Sequence, residues 1–209
     1  AVHSGLHTFL ISSLPIDLKA VEKIYYAAEE ANVLLQFSHW PSFTPASQWM
    51  NQKVHKPTFI QTIRDINFTR HMETQFNLEH YWINELAYCL KWIDGAVHHT
   101  DLNVVSLNGS AHALHLFLRF DSGATANTYI NLSSTVNRHQ RIISDNSCLL
   151  DCDVRSQTVR LGRKNTNGQL YFEKRTFDPS KSAELAITHF LKAIQMRKPT
   201  LFHGYDLLR

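Results

Sequence analysis

The sequence predicts an α+β fold: a large, mainly antiparallel sheet with helices on one face, preceded by one parallel βαβ unit. Three observations predict it. Residues 7–37 read as strand, helix and strand within about thirty residues, the span of one right-handed crossover. Leu114, Leu116, Leu118 and Phe120 alternate with Ala113, His115, Phe117 and Arg119, and Ala124, Ala126, Thr128, Ile130 and Leu132 repeat the alternation beyond a turn. Long amphipathic stretches at 76–93 and 181–196 supply helices to cover one face of such a sheet.

Gly5 suits the residue just past a helix end, and the strand-like run His7 to Ser12 follows at once. A chain that opens on the tail of a helix is expected to be a piece of a longer one. Asp17 is a suitable N-cap, Leu18, Val21, Ile24, Tyr25 and Ala28 form an apolar stripe at helical spacing, and Asn32 is a stop. Val33 to Phe37 is nearly continuous in apolar residues, as a parallel strand buried on both faces would be.

The pattern changes after Trp40. Pro45 to Val54 suits a short helix, and Thr58 to Phe68 a strand opening after Pro57. The long helix Phe76 to Ile93 ends at Gly95. The hairpin of residues 114–132 turns at Asp121-Ser122-Gly123. Further strands are expected at Arg138–Ser144, Cys148–Val154, Thr158–Arg163 and Leu170–Thr176, with a turn at Asn165-Thr166-Asn167-Gly168. The closing helix runs from about Lys181 to Met196, and Pro199 follows it. Residues 1–40 and 41–209 are expected to be separate units.

Composition excludes several classes. The 209 residues are 44% apolar and 19% charged, with a net charge of +3, in the range of an ordinary globular protein. Lys and Arg are scattered apart from Arg160, Arg163 and Lys164, so no nucleic-acid footprint is expected. No apolar run reaches the length of a membrane helix, and no signal peptide is read at the start. Cys89, Cys148 and Cys152 are too few and too odd in number for a disulfide framework, which points to a reducing, cytoplasmic setting. Cys148 and Cys152 lie near Asp151 and Asp153, but no second Cys/His pair follows at ligand spacing, so no metal site is expected.

Over nearly the whole chain, the order of motifs resembles the glucose–fructose oxidoreductase/inositol dehydrogenase (Gfo/Idh/MocA) family. The carrying segments are Gly5–Leu10, Tyr26–Val33, Phe43-Thr44-Pro45-Ala46, Lys91-Trp92-Ile93-Asp94-Gly95, Phe120–Ala124, Arg141–Asp151 and Glu184–Pro199. The resemblance implies that residues 1–40 are the C-terminal remnant of a Rossmann domain. It implies that residues 41–209 are a substrate and oligomerisation domain. It places Ser12 and Ser13 beside the cofactor of the intact protein, where the family has the lysine and proline of Glu-Lys-Pro. On the long helix the family's Asp-x-x-x-His falls on Tyr81 and Glu85, which are four residues apart on one helix face. Glu85 would need burial to raise its pKa before it could act as a base near neutrality. Tyr81, Glu85, Tyr88 and Trp92 equally fit an amphipathic packing face. His39 and Trp40, at the end of a parallel strand, are candidates for the substrate cleft, with hinge packing the alternative for Trp40.

Two functions follow from the resemblance. One is a fragment of an NAD(P)-dependent oxidoreductase acting on a sugar, polyol or related hydroxyl compound. The other is a catalytically degenerate relative that binds a ligand or assembles subunits, since the lysine, aspartate and histidine positions hold Ser12, Tyr81 and Glu85. No G-x-G-x-x-G follows a strand, so NAD or NADP is expected only in the intact protein and none with this chain alone. A homo-oligomer is expected through the open sheet face, where Phe117 and Tyr129 are large aromatics among polar neighbours.

Overall fold

The computed structural model describes residues 1–11, 17–68 and 78–200, leaving aside the side chains of Leu18, Trp40, Pro41, Glu79 and His80. The N-terminal unit begins with a 3-10 turn at Val2–Ser4, and Gly5 leaves it with φ 70°. Strand β1 (Thr8–Leu10) pairs in parallel with β2 (Leu35–Phe37), Thr8 lying opposite Leu35. Helix α1 (Leu18–Glu30) joins them. Its N-cap is Asp17, whose carboxylate accepts from the N–H groups of Lys19 and Ala20. The helix buries Val21, Tyr25 and Ala28, the inner part of the expected stripe, while Ile24 is exposed.

Two short helices follow, α2 (Trp40–Phe43) and α3 (Pro45–Lys53). Thr44 accepts the Ser47 N–H and caps α3, and Pro45 occupies its first turn, where no N–H is needed. Helix α4 (Leu78–Trp92) is the long helix, and α5 (Ser182–Met196) closes the described chain.

The large sheet has eight strands: β3 (Phe59–Asn67), β4 (Val97–Leu107), β5 (Ser110–Phe120), β6 (Thr125–Ser134), β7 (Arg138–Ser144), β8 (Cys148–Asp153), β9 (Thr158–Lys164) and β10 (Leu170–Thr176). Their order is β10-β9-β8-β7-β3-β6-β5-β4, and every pairing is antiparallel except β3 with β6. β3 therefore lies between two strands that are consecutive in sequence. Residues 135–137 arch over its end, and Asn67 is tied to that arch, its side-chain amide donating to the Thr135 carbonyl and its backbone N–H to the Asn137 side-chain oxygen.

Helices α3 and α4 cover one face. Leu114, Leu116 and Leu118 of β5 point into it, with Ala126, Ile130 and Leu132 of β6 and Ile143, Leu150, Val159 and Leu161 beyond. A second, smaller core holds Val21, Tyr25, Leu35 and Phe37 against Phe43, Ile83, Ala87 and Ala186. The two cores thus do not part at residue 40. α4 contributes to both, and α5 packs back on the N-terminal unit, with Phe190 edge-on to Phe9 at 5.5 Å.

Strand β4 was not foreseen in the sequence. All eleven of its residues are exposed, so no burial alternation marks it, and only its pairing with β5 holds it. Leu102 and Val104 on its inner side overhang a groove of about 760 Å³ beside Trp82 and Leu86 of α4.

Candidate functional site

The site grows from the inward face of α4. Glu85 is fully buried there, one turn from Tyr81 and one from Tyr88. Beneath it run the central strands β3 and β7, whose register sets Arg64 opposite His139 and Thr62 opposite Arg141. Side chains alternate along a strand, so all four face the helices with Ile60 and Ile143. A single carboxylate on the helix therefore meets three cationic or titratable groups on the sheet.

Arg141 is the main partner. Its Nε donates to Oε2 at 3.1 Å, and Nη2 reaches Oε1 at 3.1 Å and Oε2 at 2.9 Å. The guanidinium also lies 3.7 Å above the centre of the Tyr88 ring. A forked pair of this kind, with an aromatic face beneath it, compensates two charges withdrawn from water. His139 Nε2 approaches Glu85 Oε1 at 2.9 Å, but its N–H is not aimed along that line, so the contact is electrostatic rather than a linear hydrogen bond. Arg64 is the loosest member, with Nη1 3.7 Å from Oε1 and its guanidinium 4.5 Å above the Tyr81 ring.

These contacts decide the chemistry of Glu85. Burial alone pushes its pKa up. Arg141, His139 and Arg64 together outweigh burial and hold the carboxyl well below the usual carboxylate range. The condition for Glu85 to act as a base near neutrality, a raised pKa, is therefore not met. It is a locked anion whose oxygens are both engaged by Arg141. Burial, reinforced by the two arginines, lowers the pKa of His139 and keeps its ring neutral despite the nearby carboxylate.

His39, expected to line a cleft, is fully buried. Its Nε2 lies 2.9 Å from the Asn84 carbonyl and must donate there, so Nδ1 is the acceptor for the Ser42 hydroxyl at 2.6 Å. Burial first, then Arg141, lowers its pKa to about 4, and it is neutral at physiological pH. His39 is thus a bridge that ties the end of β2 to α4. The backbone of Trp40 begins α2, and its side chain lies outside the described residues, as do Ser12 and Ser13. Tyr81 is half-buried, with Arg64 over its ring.

Sequence reasoning missed Arg64, His139 and Arg141. A signal was present in β7, where His139 and Arg141 share a face with Ile143. An arginine in register with core residues calls for a buried anion, and Glu85 was the available one.

Asp151 and Cys152 are neighbours on β8 and point to opposite faces. Burial pushes the Cys89 and Cys152 thiols up to about 12, so both are protonated. Among the described residues no group of three His, Cys, Asp or Glu is placed to hold a metal ion. The described residues also do not fit a dinucleotide. The β1-to-α1 connection contains no glycine that would let phosphates approach the backbone. At the β2 end, Ser38 and His39 are buried and hydrogen-bonded.

No known family profile matches the chain, and no curated protein matches it in sequence. Solved structures do match in fold. The chain superposes on UDP-N-acetylglucosamine 3-dehydrogenase GnnA from Acidithiobacillus ferrooxidans with a TM-score of 0.85 at 17% identity, covering 100% of this chain and 68% of that one. An NAD binding oxidoreductase from Klebsiella pneumoniae gives 0.83 at 11% identity, over 99% and 69% of the two chains. Levoglucosan dehydrogenase, solved in complex with NADH and levoglucosan, gives 0.79 at 9% identity, over 99% and 69%. The chain has the fold of the corresponding two-thirds of these dehydrogenases, as its resemblance to the Gfo/Idh/MocA type implied.

Proposed function

We propose that the protein is an NAD(P)-dependent oxidoreductase acting on a hydroxyl group of a sugar, polyol or related compound, with this chain supplying its substrate side. The supporting observation is the superposition over the full chain on a sugar-nucleotide dehydrogenase. NAD or NADP would serve the full-length protein, since the described residues offer it no cradle. When bound, the nicotinamide accepts the hydride, and the protein must accept the hydroxyl proton and stabilise charge on the oxygen. Glu85 does neither, because it is buried and locked by Arg141. Turnover is accordingly slow, since losing one positioned acid–base group typically costs about 10²–10⁴-fold.

A second reading, a catalytically degenerate ligand-binding or assembly protein, is favoured by that same lock. Assay of the full-length protein with NAD and NADP against neutral sugars, polyols and nucleotide sugars separates the two. Rates of order 1–10³ per second establish an ordinary enzyme. Cofactor binding without turnover favours the degenerate relative, and neither binding nor turnover overturns the oxidoreductase reading.

We further propose that the protein is cytoplasmic and assembles with itself through the open sheet face. Among the described residues, no helix is long and apolar enough to cross a membrane. Tyr129 is 38% exposed in the middle of the open face, opposite His115 and diagonal to Phe117. A sedimentation run that finds only monomer at tens of micromolar, about the strength of a weak standard-size interface, removes the assembly proposal.

A further inference from the structure

The ion cluster under α4 is not electrically balanced. Glu85 brings one negative charge, Arg141 and Arg64 bring two positive ones, and His139 is neutral. Arg141 uses both Glu85 oxygens and is 1% exposed. The surplus positive charge therefore resides on Arg64. Its Nη1 is 3.7 Å from Glu85, beyond hydrogen-bond length, and among the described residues none of its N–H donors has a hydrogen-bonded acceptor. Its side chain is 26% exposed, against 11% for His139, so it is the member of the cluster that reaches the surface. The Tyr81 ring lies beneath the guanidinium, its centre 4.5 Å from Cζ.

A partly desolvated guanidinium over an aromatic ring, with unspent donors, is suited to a planar or tetrahedral oxyanion, which it can bind with two parallel hydrogen bonds. The low-dielectric wall of the cluster strengthens its field toward solvent. We infer that Arg64, held by Tyr81, binds an anionic substituent, a carboxylate or a phosphate, on the substrate of this site. The inference rests on the oxidoreductase reading for the word substrate, but its binding step requires no turnover. Arg64 is then a specificity determinant, and the preferred compound is an acidic or phosphorylated sugar rather than a neutral one.

The test is calorimetric titration of the full-length protein with glucose, glucuronate, glucose 6-phosphate and inorganic phosphate. One of the two anionic sugars is expected to bind at least about tenfold more tightly than glucose, the worth of one charge-assisted bidentate contact. Arg64→Gln is expected to erase that preference, and Arg64→Lys, which keeps the charge but loses the fork, to keep part of it. Removal of a loosely held surplus cation should leave the fold intact, as circular dichroism will check. If Arg64→Gln does not fold, Tyr81→Leu removes the ring beneath the guanidinium and is expected to weaken the preference severalfold. Equal affinity for glucose and the anionic sugars, a preference unchanged in these variants, or phosphate bound as tightly as the sugar phosphate each overturns the inference. Turnover without anion preference sinks this inference alone. Anion preference without turnover sinks the enzymatic reading and leaves Arg64 as a ligand-binding residue.

Discussion

Strand β7 carries charge on both of its faces. Toward the helices it presents His139 and Arg141, and toward the open side Arg138 and Gln140. The covered side gathers Glu85 with its three partners, Glu85 and Arg141 withdrawn from water and Arg64 at the edge. On the open side Arg160 pairs with Asp151 at 2.7 Å beside a hollow of about 770 Å³ that Arg155 and Lys174 also line. The bond lengths are alike, but Arg160 is 64% exposed and Asp151 17%, against 1% for Arg141 and none for Glu85. The difference teaches that contact distance does not rank ion pairs. What ranks them is whether water can replace a lost partner.

The largest expected effect tests this at once. Glu85→Ala leaves the Arg141 guanidinium buried without its anion, with Arg64 beside it, and should cost about 3–5 kcal/mol in chemical denaturation. A loss under about 1 kcal/mol would place the covered cluster in the same class as the open one and end the comparison.

Acid probes the same contrast. His39 is buried neutral with its pKa lowered to about 4, against about 6.5 when unfolded. A depressed folded value means that the unfolded chain takes up the proton first. Its contribution is thus fully present above pH 6.5 and is lost as pH falls toward 4, on the order of 3 kcal/mol in total. Glu85 behaves as a carboxylate with a depressed folded pKa. Its contribution is present above the unfolded value and fades only as pH falls below the ordinary carboxylate range. Urea denaturation from pH 7.5 to 4 should show the decline, and His39→Gln should flatten it. An unchanged slope in that variant would show that His39 is not the titrating group.

The smallest effect belongs to the open face. Asp151→Asn is expected to change stability by no more than about 1 kcal/mol, and less as salt is added. A loss as large as that of Glu85→Ala would mean that the open face is covered in solution, which would sharpen the case for self-assembly.

Much of the sheet was legible because burial on one side writes a period of two into the sequence. The hairpin of β5 and β6, with its turn at Asp121-Ser122-Gly123, and strands β7 and β10 are where the alternation and turn residues put them. β4 was not legible, because an exposed strand leaves no such period. The site was half legible. Helical spacing placed Tyr81 and Glu85 on one face, but Arg141 lies 56 residues from Glu85, and no local pattern announces a partner at that range. Without Arg141, a buried glutamate reads as a candidate base, and with it the same residue is a structural anion. The bridging contacts of His39 were not legible for a related reason: its partners, Ser42 and the Asn84 carbonyl, meet only when β2 and α4 are packed together.

The arch of residues 135–137 over the end of β3 has a consequence for how the chain comes off the ribosome. β3 emerges early, yet both of its neighbours come later, and its first residue, Phe59, pairs with Thr125 on one side and Ser144 on the other. Until some eighty further residues have been made, its two edges lack their partners, and the centre of the sheet cannot close. Contacts of such separation slow folding and expose strand edges to other nascent chains. The last strand to lock the sheet's middle is also the one carrying His139 and Arg141. Glu85 therefore waits, with its helix already synthesised, for the cation that neutralises it.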